Sequence, residues 1–489
     1  MILSNGSSVL SIHTLFVPNN ATIRDTLQVV DTGGLGFALI VDENDTFHGL
    51  VTDGDIRRAL LSGHSLDSNI SEIIKTNYVI SRVDENWKET SKKFDHRIRI
   101  IPILDKDDKV VDIAVMESRL RIPVAEPKIG KKELEYVTDC ILSGWISSSG
   151  DYIKKFESGF ANYCGCKYGI ATSNGTTALH LALLALGVGP GDEVIVPDLT
   201  FIATANAVTY TGAKPVFIDI EPDTWNIDPK KITYNINRNT KGIIAVHLYG
   251  HPADMDPLLE IAKKYNLWII EDAAEAHGAE YKGRKVGGIG DIGVFSFYGN
   301  KIITTGEGGM VVTDSPDIAE MVQILRDHGM DKNHRYWHPY LGYNYRMTNM
   351  QAAVGLAQLE KIDEILERKI AIADEYNRLL RKNPFVILPP KKDYAKSVYW
   401  MYSILLNGEY GGKRDELMDY LRNHKIETRP FFPPLHQQPI YQDRCETLMI
   451  SNEISKRGLN LPSSVNIANS DIRLVSEKIN YFTNFESKT

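Results

Sequence analysis

Cysteine is scarce. The chain of 489 residues holds four: Cys140, Cys164, Cys166 and Cys445. That is too few for a disulfide framework at this length, so the fold is expected to rest on an apolar core. Cys164-Gly-Cys166 has the spacing of half a metal site, but no second cysteine or histidine cluster completes it. Packing thiols in a reducing cytoplasm are expected, with no metal. Long apolar runs are also missing. No stretch is long enough to span a bilayer, and MILSNGSSVLSIHTLF (1–16) lacks the basic region and apolar run of a secretory leader. A soluble cytoplasmic protein with no membrane partner is expected. Nor is there an excess of positive charge: 55 Lys and Arg stand against 63 Asp and Glu, a net charge of -8. Both signs are spread along the chain, which argues against a general nucleic-acid binder.

What is present supports a sizeable core. Hydrophobic residues make up 43% of the chain, and the length fits two or three domains. The first 118 residues differ from the rest. ALIVDENDTFHGLVTDGDIRRALLSG (38–63) reads as strand, turn, strand, helix. IIPILDKDDKVVDIAVME (100–117) repeats the strand–turn–strand shape, as an internal duplication would. Residues 119–130, with two prolines and a glycine, read as a linker.

Beyond the linker, strands and helices alternate. EVIVP (193–197), PVFIDI (215–220), IIAVHL (243–248), LWIIED (267–272), IGVFSF (292–297) and GMVVT (309–313) are nearly continuous apolar strands. Such runs point to an α/β fold whose mainly parallel sheet is covered on both faces. TTALHLALLAL (176–186) is apolar all round and should be a buried helix. DPLLEIAKKYN (256–266) reads as a helix with Asp256 as N-cap and Pro257 at the first position. Residues 348–380 read as one long helix opened by a Thr348/Gln351 capping box. A large domain over 131–380 and a smaller α+β domain over 381–489 follow.

Several stretches fall where open α/β sheets place their sites. SNGTTAL (173–179) puts Gly175 and Thr176 at a helix N-terminus, where free amides favour a phosphate, although capping alone explains the same residues. Phe201, in PDLTFIATANAV, is a core residue or a plate for a flat ring. Asp272 closes a strand and is a helix cap or the partner of a positive ring nitrogen; His277 reads as a core histidine. Lys301, in SFYGNKIITTGEGG (296–309), either returns the chain to solvent or holds an amine partly out of water for Schiff-base chemistry. Together, a phosphate cradle, an aromatic plate, a carboxylate and a lysine are the parts that hold pyridoxal phosphate.

Two resemblances follow from these motifs. GLVTDGDIRR (49–58) resembles a CBS module, and residues 1–118 resemble a tandem CBS pair. The resemblance implies that Thr52 and Asp55 hold the ribose of an adenine or guanine nucleotide; capping of the following helix is the other reading. Ala114 and Glu117 stand at the corresponding places of the second copy, which lacks the hydroxyl. Residues 122–489 resemble fold-type I pyridoxal-phosphate enzymes, and within them the DegT/DnrJ/EryC1/StrS sugar aminotransferases. The motifs are SNGTTALHLALLALG, PDLTFIATANAV, HLYGHPADM, EDAAEAHG, FSFYGNKIITTGEGG and LGYNYRMTNMQAA, in that order.

That likeness implies a role for each residue. Lys301 would carry the cofactor and move protons. Asp272 would pair with the pyridinium nitrogen, and Phe201 would stack on the ring. Gly175, Thr176 and Ser296 would hold the phosphate, and Asn344 would reach the phosphate in a neighbouring subunit, which implies at least a homodimer. L-Glutamate would be the amino donor. The acceptor would be a nucleotide-linked 4-keto-6-deoxyhexose, with the likeness greatest to members that aminate the GDP-linked mannose derivative; a UDP- or dTDP-linked sugar is the alternative. Tyr336, Arg346, Arg429 and His436 are candidates for binding it by residue type and loop position. A related reaction, dehydration at C3, belongs to members with histidine in place of the lysine, and Lys301 favours transamination. A non-catalytic nucleotide sensor is the rival from another class.

Overall fold

The computed structural model describes residues 12–33, 36–74, 78–94, 98, 100–115, 121–442 and 448–485. Glu117 and Cys445, both considered above, lie outside them. The chain divides into two compact units, 1–120 and 121–489.

In the first unit, Phe16–Pro18 pairs in parallel with Phe37–Val41, which pairs antiparallel with Phe47–Thr52. Ser81–Arg82, Ile100–Leu104 and Val110–Val115 repeat the same parallel-then-antiparallel order. The two copies share a core. Phe37, Leu39 and Val41 pack with Leu104, Val110 and Ile113, and the Phe47 amide donates to the Asp108 carbonyl at 2.9 Å.

The second unit is built on seven strands: β1 Tyr168–Thr172, β2 Glu193–Pro197, β3 Lys214–Ile218, β4 Thr240–Val246, β5 Trp268–Asp272, β6 Ile292–Ser296 and β7 Gly309–Thr313. They lie in the order β1-β7-β6-β5-β4-β2-β3, and only β7 runs against its neighbours. Strand alternation feeds two cores. Val194, Val196, Ile244, Ile270, Ile292 and Val294 face one side, against Leu179, Leu181 and Leu183 of the helix Gly175–Ala185. Ile195, Ile243, Ala245, Ile269 and Phe295 face the other. Each residue of such a two-sided strand leaves water, which explains the unbroken apolar runs.

The edge strand β1 was not among the strands read from the sequence. YGIAT is short and carries a glycine, so it resembles a loop. The glycine has a packing reason: a Cβ at Gly169 would lie 2.5 Å from the Glu157 carbonyl oxygen. Two helix readings also change. The helix at 255 starts at Met255 after Asp254, so Asp256 is not its cap and Pro257 sits third. First-turn amides need no helical acceptor, so proline is tolerated there. The long helix is two, Asn349–Leu359 and Ile362–Leu380. At the break, Lys361 pairs with Glu133 and Glu360 with Lys132 of the helix Lys131–Ser143. The Thr348/Gln351 capping box is present.

A smaller domain packs an antiparallel sheet, ordered Val386–Ile387, Tyr402–Leu406, Gly458–Leu461 and Arg429–Pro430. Helices Ile362–Leu380, Arg414–Asn423 and Asn469–Phe482 bury Ile372, Tyr376, Leu417, Leu421, Ile472 and Val475 with it. Part of the segment read as linker is docked on this domain. The Ile122 amide donates to the Lys425 carbonyl at 2.8 Å, and the Ile122 carbonyl accepts from the Glu427 amide at 2.9 Å. Val124 is fully buried.

Candidate active site

The C-terminal ends of the parallel strands open into a cavity of about 730 Å³. Its lining joins Gly175, Thr176, Phe201, Asp272, Ser296 and Lys301 with Trp400, Arg429 and Phe432 from the smaller domain. Six residues spread over about 130 positions of sequence thus share one wall, because parallel strands end on the same side of the sheet.

The phosphate cradle comes from a turn. Asn174 caps the helix Gly175–Ala185 by accepting from the Thr177 amide at 2.9 Å, and the Thr177 hydroxyl accepts from the Asn174 amide at 3.2 Å. This box uses the third helical amide and leaves those of Gly175 and Thr176 directed along the helix start, where the dipole favours an anion. Ser296 closes the other side. A Cβ at Gly175 would lie 2.8 Å from the Ser296 Cβ, so glycine is required for the two to approach.

Asp272 ends β5 and is almost wholly buried. Its Oδ2 accepts from the Thr204 hydroxyl at 2.8 Å, and its Oδ1 from the Ala274 amide at 3.2 Å. Burial pushes its carboxyl up, against those hydrogen bonds and the nearby Lys301 charge. An apposed cationic ring nitrogen would restore the ionised form. The preceding residue, Glu271, points to the opposite face. There it accepts from the Gly287, Ile289 and Gly290 amides at 2.8, 2.6 and 2.7 Å and meets His247 at 3.1 Å. Burial pushes its carboxyl up, but these partners more than offset it and hold it below the usual range. Glu271 is a structural carboxylate and Asp272 the one at the cavity.

Lys301 Nζ lies 3.7 Å from Glu275 Oε1 and 3.9 Å from the centre of the Trp400 ring. Burial pushes the amine down, opposed by Glu275 and Asp272. Burial also raises the Glu275 carboxyl to about 7, although the Tyr249 amide donates to it at 2.9 Å. An amine that loses its proton easily is the form that attacks a carbonyl. Phe201 lines the mouth with 54% of its surface exposed, its ring 5.7 Å from that of Phe432. A large ring left open beside a cavity is placed to cover a flat ligand.

The remaining candidates divide. Arg429 lines the cavity and has a 4.0 Å contact to Glu427. His436 does not line it: its Nδ1 lies 2.7 Å from Asp198 Oδ2 and its amide donates to Asp198 Oδ1 at 2.9 Å, both buried. Arg346 is bound to Asp327 at 2.7 Å and faces a second cleft with Ser148, Ser149 and Arg326. Asn344 is exposed and accepts from Arg346 Nε at 3.0 Å, away from this cavity. Tyr336 is 73% exposed in a left-handed conformation under the Arg335 guanidinium. His277 is a core residue wedged among Phe160, Phe295 and Phe297; burial pushes its imidazole down to about 3. Cys164 and Cys166 sit in the same core as Phe160 and Phe295, with the Cys166 thiol 3.9 Å from the Gly287 carbonyl oxygen. In the first unit, Thr52 caps the helix Asp53–Leu61, and its hydroxyl donates to Asp55 Oδ2 at 2.6 Å.

Sequence reasoning missed Glu275, Thr204, Trp400 and Phe432. Glu275 lies three residues after Asp272 in EDAAEAHG and could have been found there. Trp400 and Phe432 come from the smaller domain, and no local pattern ties them to Lys301.

The DegT/DnrJ/EryC1/StrS aminotransferase family model matches residues 127–480, and every cavity residue described above falls within that span. The chain belongs to this family. A CBS-domain model matches residues 7–62. The GDP-perosamine synthase of Caulobacter vibrioides is 50% identical over 354 residues, 72% of this chain and 95% of that protein. That of Escherichia coli O157:H7 is 48% identical, over 74% of this chain and 98% of its own length. Among solved structures, S. venezuelae DesV superposes with a TM-score of 0.69 at 35% identity, covering 73% of this chain and 95% of its own. The sugar aminotransferase Spr1654 of Streptococcus pneumoniae, solved in its PLP-form, gives 0.71 at 28% identity, covering 74% and 99%. As a member of this family the chain is a pyridoxal-phosphate-dependent sugar aminotransferase. Its residues fit that cofactor: a phosphate cradle whose Gly175 has no room for a Cβ, a buried carboxylate for the ring nitrogen and a desolvated lysine.

Proposed function

We propose that this enzyme moves an amino group from L-glutamate to the C4 ketone of GDP-4-keto-6-deoxy-D-mannose, giving GDP-perosamine. The observation that carries the reaction type is the buried Lys301 beside Glu275 and Asp272 at the strand ends. The sugar is read from the 50% and 48% identity to two GDP-perosamine synthases.

Bound pyridoxal phosphate supplies an electron sink that makes the donor Cα–H acidic. The chain's own residues do the rest. Gly175, Thr176 and Ser296 would hold its phosphate. Asp272, fixed by Thr204 and the Ala274 amide, would balance the ring charge. Lys301 Nζ would take the proton from the donor Cα as general base and give it back as general acid. The exchange would balance as L-glutamate plus keto sugar giving 2-oxoglutarate plus amino sugar, with the carbonyl oxygen of 2-oxoglutarate taken from a water that the sugar ketone gives back. Arg429 is placed to meet an anionic group of donor or sugar nucleotide. Asn344 lies outside this cavity and is assigned to the cofactor phosphate of a second subunit in a homodimer.

The test is a mass-spectrometric comparison of GDP-, UDP- and dTDP-4-keto sugars, each supplied with glutamate. Amination of the GDP sugar above the others is expected; exclusive use of another sugar would reassign the substrate and leave the aminotransferase intact. The N-terminal unit is assigned a regulatory, nucleotide-binding role on its likeness to the CBS domain. Calorimetry with adenine and guanine nucleotides, run beside the kinetics, tests it. No heat and unchanged rates would remove that role.

A further inference from the structure

Two left-handed residues meet where the smaller domain closes on the sheet. Tyr249 has φ 52° and Tyr399 has φ 48°, a conformation that strains any residue with a side chain. They are packed against each other's neighbours. A Cβ at Gly250 would lie 2.9 Å from the Trp400 amide nitrogen and 3.0 Å from that of Tyr399, and the Val398 amide donates to the Gly250 carbonyl at 3.0 Å. The two turns deliver partners to the same pair. Tyr249 gives its amide to Glu275. Trp400 lays its ring 3.9 Å from Lys301 Nζ.

Trp400 is held in this position from two sides. Its Nε1–H donates at 2.8 Å to the carbonyl of Asn300, the residue before Lys301. Its own carbonyl accepts at 2.9 Å from Lys369 Nζ, which also donates to the Ser463 carbonyl at 2.6 Å. Lys369 is buried in the smaller domain and has no carboxylate partner in these bonds. A left-handed neighbour, an indole donor and a buried lysine on the backbone carbonyl therefore all fix one residue, Trp400.

We propose that Trp400, braced by Lys369, is a positioning residue for Lys301: its ring supports the protonated amine and its indole N–H fixes the backbone from which the amine projects. Glu275, Asp272, Glu307 and Arg429 are the other charged groups lining the cavity around that amine. The two carboxylates nearest it favour the charged form and Arg429 opposes it, so the ring adds to a balance rather than setting it alone. A desolvated ammonium beside an indole is stabilised by the ring's negative face. Holding the amine's direction serves the proton transfers, which are sensitive to displacements of about 1 Å.

The test reads the amine directly. In cofactor-free protein, the rate at which a small neutral acylating reagent modifies Lys301 is followed against pH, and the modified peptide is quantified by mass spectrometry. Trp400→Leu should lower the titration midpoint by about one pH unit. It should lower kcat by about 10- to 100-fold and leave KM within about twofold. Trp400→Phe retains a ring but not the N–H, so its midpoint should hold while kcat falls. Lys369→Met should change kcat in the same direction as Trp400→Leu, by less. If Trp400→Leu moves neither midpoint nor kcat, or lowers only the melting temperature, Trp400 is packing alone and the proposal fails. If that variant does not fold, Trp400→Phe decides: an unchanged kcat overturns the proposal.

Discussion

Lys301 Nζ and Glu275 Oε1 stand 3.7 Å apart in a site where burial weakens both charges. A carboxyl raised from the usual 4.5 to about 7 binds its proton more tightly in the folded protein. Its contribution to stability is complete below 4.5 and is lost as pH rises to 7, a change of about 3 kcal/mol. The lowered lysine acts oppositely, so stability recovers as pH climbs from the depressed value toward 10.5. Cofactor-free protein should therefore lose stability between pH 4.5 and 7 in urea titrations. Glu275→Gln should flatten that slope.

Lys301→Ala removes the group that moves the proton. Turnover should fall by at least about 1,000-fold, and borohydride should no longer fix the cofactor to the chain. The protein should stay folded by circular dichroism, because the amine's contacts with Glu275 and the Trp400 ring lie at the cavity wall and not in the apolar core.

Asp272→Asn keeps an oxygen to accept from the Ala274 amide and reverses the Thr204 contact, its amide nitrogen donating to the hydroxyl, but removes the negative charge from the ring's partner. We expect kcat to fall by about 100-fold or more, by the scale of lost preorganised charge. Thr204→Val should cost less, since it leaves the carboxylate and removes one hydrogen bond worth about 1 kcal/mol. Steady-state kinetics at saturating cofactor separates the two.

His436→Ala should affect folding rather than chemistry. The imidazole is buried against Asp198, and breaking a buried pair costs about 3–5 kcal/mol. Tm should drop clearly, while KM for both substrates in the folded fraction should stay unchanged. A raised sugar KM with an unchanged Tm would return His436 to the binding site.

The segment around Ile122 gives a further test. A chain beginning at residue 119 keeps the pairing with Lys425 and Glu427 and the buried Val124, and it should retain the full enzyme's Tm. One beginning at residue 127 loses both apolar side chains and should lose about 2–5 kcal/mol, by the cost of emptying buried positions.

The sequence alone determined the layout and the reaction type. Two-sided burial leaves unbroken apolar strands, and residues at the ends of parallel strands must share one rim; Phe201, Asp272 and Lys301 were legible for that reason, Gly175 as the start of a helix, and Ser296 through the family resemblance. What lies beyond the local pattern was decided only in three dimensions. Tyr336, Arg346, Arg429 and His436 were chosen alike by residue type and loop position, yet of these only Arg429 lines the cavity. The strand Tyr168–Thr172 was hidden because its glycine answers a helix backbone distant in kind, not a strand pattern. Trp400 reaches Lys301 across 99 positions through a strained turn packed on Gly250. Periodicity records which face of an element is buried, but a contact between two domains depends on backbone angles and packing that no single segment encodes.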